Sequence, residues 1–202
     1  MKSIYLLLTK SDTYVSKTIG LATSDKYTHI SISFEETLEP LYSFARKYKR
    51  TPLPAGIRHE ALYSGFYEKC NHIPCALYEL KVNEETYEKA RSHVDDMMEN
   101  ADCYRYNVLG LILCRMNIAY DRKRRYFCSE FVSEVLEKSN AIELPKHPSL
   151  MRPADYTNID GINCLFDGKL HELKSSIRPG YQYCLKTPLC SDKLRTRVFF
   201  SN

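Results

Sequence analysis

The run Ile4-Tyr5-Leu6-Leu7-Leu8 is apolar at every position, which predicts a strand covered on both faces. Ser11-Asp12 ends it with turn chemistry, and a short helical stretch is predicted around Val15 to Ala22. In Tyr27-Thr28-His29-Ile30-Ser31-Ile32-Ser33-Phe34 the alternation is clean: Ile30, Ile32 and Phe34 share one face, and His29, Ser31 and Ser33 share the other. Glu35 to Pro40 can reverse the chain into a third strand, Leu41-Tyr42-Ser43-Phe44-Ala45, antiparallel to the second if the connection is a hairpin. Residues 51–71, with Pro52, Pro54, Gly56 and Gly65, read as an irregular excursion over the surface.

Cys75 to Val82 predicts another strand, and Asn83 caps a helix running to about Asn100 with Tyr87, Ala90, Val94 and Met97 on its apolar side. Tyr104 to Leu113 begins a packed helical segment. Phe127 to Lys138 forms a helix with the stripe Phe131, Val132, Val135 and Leu136, and with Cys128 at its start. Leu150 to Tyr156 is a loop and short turn, Asn163 to Leu170 a terminal strand broken by Gly168, and residues 176–202 a basic, proline-containing extension.

A length of 202 residues suits one domain with a substantial core, and 44% hydrophobic with 27% charged residues excludes a disordered or membrane-spanning chain. The net charge of +4 leaves any preference for acidic partners to local patches, of which there are two: Arg46 to Arg50 and Arg122 to Arg125. Such runs are most often solvated loops, and with no recognition helix, RNA-binding aromatic motif or zinc finger, nucleic acid is not expected as a partner. The apolar N-terminus is too short for a signal peptide or membrane span, so a cytoplasmic protein with eight reduced cysteines is expected. Cys70-Asn71-His72-Ile73-Pro74-Cys75 lacks the spacing of a standard metal site and reads as a loop entering a strand; no metal or other cofactor is expected.

Chemistry concentrates on Cys128. A thiol at the first turn of a helix meets unpaired backbone N–H groups and the positive end of the helix dipole, both of which favour thiolate, and the same N–H groups can stabilise an oxyanion. Its base must come from another element. Of six histidines, His29 alone lies mid-strand with cleanly alternating neighbours, where a sheet can hold the ring rigidly. Taken on spacing alone, a packed thiol and a satisfied strand histidine remain the commoner reading.

Tyr27-Thr28-His29-Ile30-Ser31-Ile32, then Tyr106-Asn107 to Gly110, then Tyr126-Phe127-Cys128-Ser129-Glu130-Phe131-Val132, then Pro153 and Phe166-Asp167-Gly168-Lys169-Leu170, follow one another in an order that resembles the YiiX-like permuted papain-fold cysteine peptidases. These form part of the circularly permuted branch of the NlpC-type superfamily, which also holds lecithin:retinol acyltransferase-like enzymes. The resemblance implies an α+β, circularly permuted papain-like domain over residues 1–172, an antiparallel sheet packed against helices, and a basic extension over 173–202. It implies Cys128 as nucleophile and His29 as general base. A third polar residue, often glutamate in the family, orients the ring; here Ser43 falls at that place, with Glu39 as a substitute from the turn. Tyr126, Tyr106 and Tyr156 are candidate substrate contacts. The implied activity is a thiol hydrolase acting on a small peptide-like amide or acyl substrate, with acyl transfer to a lipid-like acceptor or a catalytically silent binding scaffold as alternatives. No oligomeric state is implied.

Overall fold

The computed structural model of the protein describes residues 1–10, 25–46 and 55–177. The helix expected around Val15 to Ala22, most of the basic run Arg46 to Arg50, and all of the C-terminal extension beyond residue 177 lie outside them.

The architecture is α+β, built on one antiparallel sheet of six strands. Strand β1 (Lys2–Thr9) is central, flanked by β2 (His29–Ser33) and β5 (Pro74–Val82), with β3 (Leu41–Arg46), β4 (Ala55–Glu60) and β8 (Ile162–Lys169) completing the order β4-β3-β2-β1-β5-β8. The continuous apolar run in β1 has the consequence expected of it. Ile4, Leu6 and Leu8 join one core, Tyr5 and Leu7 join another on the opposite face, and all five are buried.

The first core lies under α2 (Glu84–Glu99) and α4 (Cys128–Lys138), where Val94, Phe131, Val132, Val135 and Leu136 meet Ile30, Ile32 and Phe44 of the sheet. Each such fully buried side chain contributes about 1.5–3 kcal/mol. The second core gathers Leu7, Leu41 and Leu77 beneath α1 (Gly65–Lys69) and α5 (Leu170–Ile177), through Tyr67, Leu170 and Leu173. Asn83 caps α2 through its side-chain oxygen, which accepts from Thr86 N at 2.8 Å.

Besides α1, which falls within the 51–71 excursion expected to be irregular, three segments differ from their sequence expectation. Ala55–Glu60, read as irregular surface, is the edge strand β4, paired with β3 from Arg46↔Ala55 to Leu41↔Glu60. Its sequence carries a single large apolar residue, Ile57, because an edge strand needs only one buried face and takes its register from the neighbour. Arg105–Tyr106 is not the start of a helix but strand β6, paired in parallel with β7 (Arg125–Tyr126); helix α3 (Val108–Arg115) begins only after Asn107. Gly168 does not break the last strand. It pairs with Cys75, at a position where a Cβ would run into the Phe166 ring and the Glu172 carboxylate, and α5 then crosses the boundary expected at residue 172 with Leu173 fully buried.

Helix α4 is pinned at its start by Tyr156, from the 3-10 turn Pro153–Asn158. This fully buried tyrosine shares a 2.7 Å hydrogen bond with Ser133 Oγ and donates to the Ser129 carbonyl at 3.3 Å. Removing its hydroxyl leaves the buried Ser133 unpartnered, so Tyr156→Phe is expected to lower stability by about 1–3 kcal/mol, read as a lower midpoint with unchanged slope in urea unfolding.

Candidate active site

Helix α4 begins where the extended backbone of Phe127 (φ −103°, ψ 172°) turns helical at Cys128. Glu130, three residues into the helix, reaches back so that its Oε2 accepts the Phe127 N–H at 3.2 Å, while Phe127 and Phe131 are sunk in the interior. Cys128 is therefore held at the first helical position, and the residue is only 6% exposed.

His29, the first residue of β2, lies near enough to the Cys128 side chain for the sulfur to favour the charged ring. His29 Nε2 lies 2.9 Å from Glu60 Oε2, with both side chains 12% exposed. The same carboxylate oxygen accepts from Ser31 Oγ at 2.7 Å and from Ser43 Oγ at 2.6 Å. Register accounts for the convergence. His29 and Ser31 alternate on one face of β2, Ser43 lies on β3, and Glu60 closes β4 opposite Leu41, so three adjacent strands direct polar groups to one point.

Burial works against a charged ring, but the Glu60 charge, the nearby Cys128 sulfur and the hydrogen bond to Glu60 outweigh it, and His29 is held well above the ordinary 6.5. For Glu60 burial likewise opposes the charge; His29, Ser43 and Ser31 reverse it and bring the carboxyl down to about 2. The imidazolium–carboxylate pair is thus the favoured state near neutrality. Elsewhere burial pushes the Cys75 thiol up to about 12 and the Cys114 thiol to about 11, so these two stay protonated.

The expected third residue, Ser43, belongs to this cluster but at one remove: its hydroxyl is given to Glu60, and Glu60 rather than Ser43 touches the ring through the 2.9 Å contact. Glu39 lies apart from the ring, its Oε1 accepting the Leu62 N–H at 3.2 Å. Glu60 is hidden in the sequence because its edge strand shows no apolar alternation; the signal that could find it is the placement of Arg58 and Glu60 on the Ser43 face once β4 is paired with β3.

The three tyrosines separate. Tyr106 pairs with Tyr126 in the β6–β7 ribbon, and burial, with the charges of Cys128 and Glu130, pushes its phenol up. Tyr126 spends its hydroxyl on Glu134 Oε1 at 2.9 Å and packs edge-on against Phe44. Tyr156, buried on Ser129 and Ser133, acts as a fastening of α4 rather than the substrate contact expected of it.

Asn107 joins α3 to α4. Its Oδ1 caps Gly110 N at 3.0 Å while Nδ2 donates to Glu130 Oε2 at 3.3 Å; a Cβ at residue 110 would occupy the Asn107 amide, so glycine is required there. Among the described residues no group of three or more His, Cys, Asp or Glu side chains is arranged to hold a metal, and no helix is long and apolar enough to cross a membrane. Comparison of the chain with protein-family models, curated protein sequences and solved structures finds no match.

Two pH dependences follow. The raised His29 contributes stability that is complete below about 6.5 and lost as pH rises through its folded value; the depressed Glu60 contributes stability complete above about 4.5 and lost as pH falls toward about 2. Glu60→Gln is therefore expected to melt below the native protein between pH 4.5 and 6.5, the gap narrowing on acidification toward pH 2. Calorimetry across that range checks it, and a gap independent of pH would remove the ion pair from the account.

Glu130 behaves oppositely, because burial pushes its carboxyl up to about 8 despite the hydrogen bonds from Phe127 and Asn107. The unfolded chain releases this proton near 4.5 while the folded chain keeps it, so stability is lost as pH rises from about 4.5 to about 8. Glu130→Gln cannot ionise, and its stability relative to the native protein is expected to climb over that interval in urea titrations.

Proposed function

We propose that the protein is a cysteine hydrolase of the permuted papain-like kind, cleaving an amide or peptide-like bond with Cys128 as nucleophile, His29 as general base and Glu60 as the residue that orients and charges the ring. The observation that carries this reading is the His29–Glu60 pair, joined at 2.9 Å across two strands and seconded by Ser31 and Ser43, with the Cys128 side chain at the helix start near enough to raise the His29 pKa.

In the proposed cycle the Cys128 proton already resides on His29 as the imidazolium, and the thiolate sulfur forms a bond to the substrate carbonyl carbon. The carbonyl oxygen becomes an oxyanion, stabilised by first-turn N–H groups of α4 that have no intrahelical partner. Collapse breaks the C–N bond, and the amine leaves with the proton held by His29. Water, deprotonated by His29, then attacks the thioester and releases the acid and the thiol. Glu60 remains ionised throughout; it keeps the imidazole in one orientation and offsets the imidazolium charge, which a serine hydroxyl could not do. A cytoplasmic setting keeps such a thiol reduced.

An activity-based thiol probe is expected to label the native protein and not Cys128→Ala. At pH 6, iodoacetamide is expected to alkylate Cys128 at least about ten-fold faster than a free thiol, and His29→Ala to abolish that advantage. Equal rates in the native protein and His29→Ala would sink the proposal. Product analysis with and without added amine separates hydrolysis from acyl transfer: free acid alone supports hydrolysis, conjugated product the transferase reading.

A further inference from the structure

Beside the β6–β7 ribbon and the start of α3 runs a groove of about 510 Å³, a volume suited to a small ligand, whose walls include Leu109 and Ile112 of α3 together with Arg105, Arg122 and Arg125. Asn107, whose N–H donates to the Tyr126 carbonyl and whose side chain holds Glu130 in the first turn of α4, also lines it, so the groove lies against the helix start that carries Cys128. Leu109 is 46% exposed, unusual for a leucine on a helix of otherwise packed residues.

The arginines are brought together by backbone. Arg105 and Arg125 are direct partners in the parallel β6–β7 pair, and Arg122 is bridged to Arg125 across a turn whose Arg124 adopts φ 58°. Paired strands run about 4.8 Å apart, and like charges directly opposite one another destabilise the pair. Among the described residues no carboxylate lies within ion-pairing distance of the three; Arg105 Nη1 is oriented only by the backbone carbonyls of Asp102 and Tyr104. A bound anion would remove this repulsion. The next partners along the same ribbon are Tyr106 and Tyr126, about 3.3 Å on, and β7 runs directly into Phe127 and Cys128, so the cationic pair lies three residues before the thiol.

We infer that the groove selects substrates bearing a free carboxylate next to an apolar side chain, as in the terminal residue of a short peptide or an N-acyl amino acid. The arginines take the carboxylate through paired N–H bonds, the apolar walls take the side chain, and the amide is left at Cys128. This rests on the hydrolase reading above and adds the substrate class to it.

Three bromoacetyl reagents test it on the full chain: N-bromoacetyl-leucine, its neutral leucinamide counterpart, and N-bromoacetyl-ethanolamine phosphate. In each reaction the Cys128 sulfur bonds to the methylene carbon and bromide leaves. N-bromoacetyl-leucine is expected to alkylate Cys128 saturably and about ten-fold faster than the leucinamide at low salt, the advantage shrinking as salt rises. The carboxylate-over-amide ratio is expected to fall to about one in Arg105→Gln/Arg125→Gln, and to drop in part in Arg122→Gln, a change on the exposed turn that leaves the ribbon intact. A ratio near one in the native protein, or faster alkylation by the phosphate reagent than by N-bromoacetyl-leucine, would overturn the inference while the thiol's activation by His29 stood. Loss of Cys128 reactivity toward all three would overturn the hydrolase reading and this one with it.

Discussion

The Glu60 carboxylate is the constraint around which one half of the sheet is arranged. A charge this deeply buried costs several kcal/mol unless it is paired and hydrogen-bonded. One oxygen of Glu60 receives His29, Ser31 and Ser43, so the cost is met only when β2, β3 and β4 are all in register. A one-residue slip of any of the three would turn its polar group to the opposite face and leave the carboxylate unpaired. The same bonds that secure the edge of the sheet set the orientation of the His29 ring.

The helical half is organised by a parallel device. Glu130 closes the first turn of α4 and Asn107 ties that turn to α3, while Tyr156 fastens Ser129 and Ser133 from the far side. Both carboxylates are buried, yet they end in opposite states. Glu60 has a cation and two hydroxyls against it and ionises; Glu130 has only neutral donors and keeps its proton toward pH 8. Cys128 sits where the two devices meet, between a charged pair on the sheet and a neutral clamp on the helix.

Much of this was legible along the chain. Period-2 alternation marked His29 and its strand, the buried run of β1 announced a sheet covered on both faces, and the apolar stripe of α4 placed Cys128 at a helix start. The role of Ser43 is half visible: the hairpin brings one residue of its strand toward His29, the family resemblance singles out Ser43, and neither reveals that Glu60 accepts its hydroxyl. Tyr106 and Tyr126 are adjacent partners in one ribbon with similar local sequence, and nothing local tells that the second spends its hydroxyl on Glu134.

What the sequence determined by itself are the features that depend on near neighbours: which positions alternate, where helices start, and which thiol and imidazole occupy rigid places. Glu60 at His29, the arginine pair of β6 and β7, and the neutral Glu130 were decided by tertiary structure alone. Each rests on a pairing between segments separated in the chain, and an edge strand or a two-residue ribbon buries too few side chains to impress a pattern on its own sequence.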